Sequence, residues 1–133
     1  LPAGSFDVIV VNSVSQYLTP DELDRLLGVW KHLLAPGGAL IVGDVNPPGV
    51  SVLTDLVALL RYAWRNGFFV AALAGMARTL LSDYRALRQT LGLTTYGEAE
   101  FLAKLSAAGF SGERLARNIE HNPARMTFRA RPR

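Results

Sequence analysis

The chain has no cysteine among its 133 residues. That excludes disulfides, thiolate nucleophiles and Cys-ligated metal sites, and it fits a reducing compartment such as the cytoplasm. Histidine is nearly as scarce, with His32 on the polar side of a predicted helix and His121 in a predicted turn. Neither is placed as a general base. No Gly-x-Gly-x-x-Gly and no nucleophile elbow occur, so a dinucleotide loop and Ser/His/Asp hydrolysis are both without support. A secretory signal is not expected, because no basic segment precedes an apolar run with a small-residue cleavage site. The most apolar stretch lies between Arg65 and Arg78, well short of the ~20 residues of a membrane span. A starting methionine is also lacking: the chain opens on Leu1-Pro2-Ala3-Gly4 and enters a strand within a few residues, the pattern expected of a piece of a longer chain.

What is present suits one packed domain. Half the residues are hydrophobic and 19% are charged, which gives material for a core and argues against global disorder. The net charge is +3. Arginines gather late, at positions 114, 117, 125, 129, 131 and 133. A solvated tail and strand face accounts for them better than a nucleic-acid footprint.

Residues 7–11, Asp-Val-Ile-Val-Val, are β-branched and apolar on consecutive positions, as in a strand buried on both faces of a parallel sheet. Thr19-Pro20-Asp21-Glu22 opens a helix with a capping box and a proline in its first turn. Leu23, Leu26, Leu27, Trp30, Leu33 and Leu34 then form one apolar stripe. Pro36-Gly37-Gly38 ends it, and residues 39–45 form a second strand. A connection of this kind makes a right-handed crossover between parallel strands. After Asn46-Pro47-Pro48-Gly49, two apolar helices are predicted over 51–65 and 68–90, separated by Asn66-Gly67. They read either as core helices or as a lid. Thr95-Tyr96-Gly97-Glu98 is expected to be a second capping box, followed by a short helix that Gly109 stops. Alternation predicts strands near 113–119 and 126–131, paired antiparallel across Glu120–Pro123.

Phe6-Asp7-Val8-Ile9-Val10-Val11-Asn12-Ser13 and Leu33-Leu34-Ala35-Pro36-Gly37-Gly38-Ala39-Leu40-Ile41-Val42-Gly43-Asp44, joined by one amphipathic helix, resemble the fourth and fifth strands of the class I S-adenosylmethionine-dependent methyltransferases. Glu98–Phe110 resembles the helix before that family's sixth strand. Asn12–Leu18 also looks like the matching segment of methylation domains in nonribosomal peptide synthetases. The resemblance covers most of the chain except 50–94. It implies an α/β fold, a partial Rossmann-like doubly wound sheet with family strands in the order 4-5-7-6, strand 7 antiparallel, and a helical, lid-like insert over 50–94 after strand 5. It also implies a single domain, 1–133, that is the carboxyl-terminal part of the fold. The cofactor would be S-adenosylmethionine, but the family's Gly-rich loop follows its first strand and is not in this sequence. Gly37-Gly38 precedes a strand and is a turn.

Ligands of doubly wound folds sit beyond the carboxyl ends of the strands. By resemblance, Asn12, Ser13 and Val14 border the cofactor, and Gln16 and Tyr17 come next, near the substrate. Asp44 would accept a substrate proton or bind a substrate amine. Four of them have a plainer reading. Asn12 and Ser13 can serve the strand-to-helix turn, Tyr17 can pack under the helix, and Asp44 can cap a turn. Some oxygen-methylating members carry a His after strand 4, where this chain has Ser15-Gln16. Asp44 with Asn46 does not make a metal site, because hard cations need about six oxygen ligands.

The expected chemistry is in-line methyl transfer to a partly apolar small molecule, with the insert excluding water. The competing reading is a non-catalytic module that acts through a partner. In either case the edge of strand 7–11 would need a mate, a second copy or a missing amino-terminal half. A short-chain dehydrogenase or a response regulator fits less well with the Leu-x-Pro-Gly-Gly-x-Leu run and the terminal strand pair.

Overall fold

The computed structural model describes residues 1–50, 52–80 and 93–133. Four strands form one open sheet: β1 (Phe6–Asn12), β2 (Leu34–Val45), β3 (Phe110–Arg114) and β4 (Met126–Pro132). Their spatial order is β1-β2-β4-β3. β1 and β2 are parallel, whereas β4 runs antiparallel to both β2 and β3. This is the order 4-5-7-6 anticipated from the sequence.

The crossover helix α1 (Pro20–Leu33) starts where its capping signals place it. Glu22 N–H donates to the Thr19 hydroxyl at 3.3 Å, and Thr19 N–H donates to the Glu22 carboxylate at 2.8 Å. Hydrogen bonds from the Thr19 backbone and hydroxyl hold the Glu22 carboxyl below its usual pKa. The helix ends at Leu33, and Gly37 turns the chain with φ +80°. Gly38 has no room for a Cβ, which would lie 2.9 Å from the Ala35 carbonyl oxygen and 3.0 Å from that of Asp7.

One face of the sheet carries the core. Register aligns Ile9 with Leu40, Val11 with Val42, Val42 with Phe128 and Leu40 with Ala130. Alternation therefore sends these side chains to one side. Leu23 and Leu27 of α1 meet them there, with Phe101 and Leu105 of the last helix α4 (Glu98–Ala107). The rings of Tyr96, Phe101 and Phe128 form a chain, with centroids 5.5 Å apart and edge-to-face, then 4.6 Å apart and tilted. Burial raises the pKa of the Tyr96 hydroxyl, with Asp24 and Glu100 adding to the effect.

The opposite face is open at β1. Val8 is 55% exposed and Val10 60%. The run of apolar residues reads as buried on both faces, but among the described residues nothing lies over this side. β1 pairs with β2 alone, so its outer edge is unpaired among the described residues.

Two local expectations change. Gly97, not Thr95, caps α4, and Glu100 accepts a hydrogen bond from its N–H at 3.2 Å. Tyr96 is buried and its N–H donates to the Asn46 carbonyl, so the helix starts only after that anchor. The third strand is β3, 110–114, and residues 115–119 lie outside any strand. They belong to a long β3–β4 loop held by side chains, where Ile119 N–H donates to the Thr127 hydroxyl. Helices α2 (Val52–Arg65) and α3 (Phe69–Leu80) match the predicted pair. The predicted continuation of the second helix over 81–90 lies outside the described residues.

Phe128 contacts α4 from the centre of the sheet, so Phe128→Ala should destabilise the chain by about 3–5 kcal/mol in urea denaturation. A loss below 1 kcal/mol would mean that the aromatic chain is not the core.

Candidate functional site

β1 and β2 are parallel, so both carboxyl ends open on one edge. The β3–β4 loop returns to the same edge because β4 runs antiparallel. Two residues there adopt left-handed backbone without being glycine: Ser13 at φ +56° and Asp44 at φ +61°. Such conformations cost roughly 1–3 kcal/mol and persist where surrounding contacts impose them.

Those contacts converge on the Asp44 carboxylate. Its Oδ2 accepts from the Ser13 hydroxyl at 2.9 Å and from Arg125 Nη1 at 2.8 Å. Its Oδ1 accepts from Asn118 Nδ2 at 3.2 Å. Asn118 Oδ1 in turn accepts from Asp44 N–H and from the Thr127 hydroxyl. Arg125 Nη1 also donates to Gln16 Oε1 at 2.8 Å. The Asp44 and Arg125 side chains are only 10% and 8% exposed. One buried ion pair thus ties together the ends of β1 and β2 and the loop before β4.

The segment from Thr94 to Tyr96 locks the same edge from another side. Thr94 N–H donates to the Gln16 carbonyl, the Thr94 hydroxyl to that of Leu18, and Tyr96 N–H to that of Asn46. Asn12 Nδ2 donates to Glu120 at 2.5 Å. Ile119 and Asn12 both crowd Gly43, where an added Cβ would lie 2.2 Å and 2.6 Å from their side chains and would have to displace them.

Sequence reasoning brought Asn12, Ser13, Gln16 and Asp44 to one edge, and all four are joined there through the loop. Val14 and Tyr17 lie beside them but face solvent, Tyr17 being 53% exposed. Asp44 accepts three hydrogen bonds from the chain's own donors. Arg125, Asn118 and Glu120 were not singled out. The only signal for Arg125 was one more arginine in a basic run, two members of which are paired on the surface: Arg114 with Glu98, and Arg129 with Glu113. Among the described residues no cluster of three His, Cys, Asp or Glu could hold a metal.

No family model matches the chain. A probable non-canonical nonribosomal peptide synthetase, CymA of Salinispora arenicola (strain CNS-205), is 51% identical over 51 residues, which are 38% of this chain and 1% of that protein. Solved structures match almost end to end. A possible exported protein from Bordetella parapertussis superimposes on 98% of the chain with a TM-score of 0.59 at 17% identity. Human N-acetylserotonin methyltransferase, solved with S-adenosylmethionine, also matches 98% at TM-score 0.54 and 17% identity. So does a possible histamine N-methyltransferase from Thermotoga maritima, at TM-score 0.54 and 17% identity. The chain has the fold of the carboxyl-terminal part of the class I methyltransferases. It spans 40%, 30% and 57% of those three structures.

In this methyltransferase fold the Asp44–Arg125 pair closes the edge beyond the strands. Arg125→Ala should cost about 3–5 kcal/mol, because it leaves the Asp44 carboxylate buried without its cation. Tyr17→Ala should stay within about 0.5 kcal/mol. Urea denaturation of both variants checks this, and equal small losses would show that the pair does not hold the edge.

Proposed function

We propose that this chain is the acceptor-side part of an S-adenosylmethionine-dependent methyltransferase acting on a small, partly apolar molecule. The observation that carries the reading is the fold, with polar side chains gathered at the carboxyl ends of two parallel strands. Three buried atoms support a ligand there: Asn12 Oδ1, Ser15 Oγ and Asn46 Oδ1 have no hydrogen-bond partner among the described residues. Buried polar atoms are ordinarily satisfied, so a bound group with donors fits this edge. Asn12, Ser13 and Val14 would border the cofactor, which supplies an electrophilic methyl group on a sulfonium. Gln16 and Tyr17 would border the acceptor, and Asp44 would hold Ser13 and Arg125 in place for both.

The described helices of the insert, α2 and α3, serve as an apolar cover. Val57, Trp64, Val70 and Leu73 on α2 and α3 are exposed, Trp64 by 73%. Trp64 packs edge-to-face on Phe69 at 5.4 Å beside a cavity of about 290 Å³. Such a surface excludes water from a transferring methyl group. Among the described residues no helix is long and apolar enough to cross a membrane. The open face and edge of β1 receive an amino-terminal half that brings the Gly-rich loop.

A second reading, a non-catalytic module working through β1, draws on that same open edge and on Ile119 and Glu120 lying against Gly43 and Asn12. Titration of the ¹⁵N-labelled chain with S-adenosylhomocysteine separates the two. Millimolar ligand should shift the amides of Asn12, Ser13 and Val14, whereas unchanged spectra would sink the methyl-transfer reading. The isolated chain should also self-associate through β1 in light scattering, and Val10→Lys should disperse it. A wild-type chain that stays monomeric at high concentration would remove β1 as a partner surface.

A further inference from the structure

α2 and the β3–β4 loop line an open cavity of about 830 Å³. Its size is that of a small-molecule site rather than of a single ion. Arg61 and Arg65 reach it from α2, and Arg117 and His121 reach it from the loop opposite. Arg61 and Arg65 are four residues apart and share one helix face, where like charges repel. The described residues lining the cavity include no aspartate or glutamate. Among the described residues, none of the three guanidiniums has an ion-pair or hydrogen-bond partner, unlike Arg114, Arg125 and Arg129. Apart from Asn122, the rest of the wall is apolar or aromatic. Val57 and Pro123 line it, and the Tyr62 ring packs on His121 with centroids 5.6 Å apart.

We propose that this cavity takes the oxyanion head, a carboxylate or a phosphate, of an acceptor whose body is apolar. Guanidiniums match the geometry of both oxyanions. Three unneutralised cations on a concave, partly apolar wall also concentrate positive potential there. The cavity communicates with the strand edge. Asn122 lines it, and its carbonyl accepts from Asn118 Nδ2, the same group that donates to Asp44. That the ligand is a methyl acceptor rests on the proposed function; that the cavity binds an oxyanion does not.

The test uses the ¹⁵N-labelled chain with benzoate, phenyl phosphate, inorganic phosphate and neutral benzamide as probes. Benzoate or phenyl phosphate should shift the amides of Arg61, Tyr62, Arg117 and His121, and the affinity should fall with added salt. Benzamide and inorganic phosphate should each bind at least tenfold more weakly. The double variant Arg61→Gln/Arg117→Gln should weaken the favoured anion at least tenfold with an unchanged melting curve, since both side chains are exposed. Whether benzoate or phenyl phosphate binds tighter identifies the head group, and either preference supports the site. Equal binding of benzamide, a neutral double variant, or shifts elsewhere would overturn it. So would inorganic phosphate binding as well as phenyl phosphate. Anion shifts at Arg61 and Arg117 without any response to S-adenosylhomocysteine would uphold the site and remove the methyl-transfer reading. The opposite pattern would remove the site alone.

Discussion

The edge of this sheet depends on one buried ion pair. Asp44 ends β2 in a left-handed conformation that its own residue type tolerates only at a cost. Arg125 compensates by reaching its carboxylate from just before β4, whose first residue pairs with the last of β2, and the same nitrogen holds Gln16. Such a pair is weak evidence for net stability, because burying both charges costs about what their attraction returns. Its consequence is geometric. With Asn118 hydrogen-bonded to Asp44 from both ends of its amide, the loop over 115–125 has one place to sit. That placement sets the wall of the basic cavity and lays Ile119 and Glu120 against Gly43 and Asn12.

The sheet is unevenly covered. The face carrying Leu40, Val42 and Phe128 is sealed by α1 and α4, and the aromatic chain of Tyr96, Phe101 and Phe128 locks α4 to the strands. The face carrying Val8 and Val10 has no such cover among the described residues. The two faces thus divide the work. One holds the chain together, and the other offers a surface with a free strand edge, which in soluble proteins is usually blunted or paired. The proposed methyl transfer would use the open β1 side, and the proposed acceptor cavity is lined by α2 and the β3–β4 loop.

Much of the fold was legible before any coordinates. The crossover helix was written in Thr19, Pro20 and Glu22 and in a leucine stripe, all local signals with local physics. The strand order was legible by resemblance through the Leu-Ala-Pro-Gly-Gly-Ala-Leu-Ile-Val text. The misplaced features were those where tertiary contacts override local preference. Thr95 has the chemistry of a cap, yet the burial of Tyr96 and its bond to Asn46 delay the helix to Gly97. Residues 115–119 alternate like a strand, yet Asn118 and Ile119 find better partners in Asp44 and Thr127.

The candidate site divides the same way. Sequence alone determined that Asn12, Ser13, Gln16 and Asp44 stand at strand ends on one edge, because strand direction and chain order leave no other place for them. Only the tertiary structure decided what those residues touch. Arg125 is 81 residues from Asp44, and Arg61 meets Arg117 across a cavity built from two separate connections. No periodicity records such meetings, since they arise when an antiparallel strand returns a distant loop to the edge where parallel strands end.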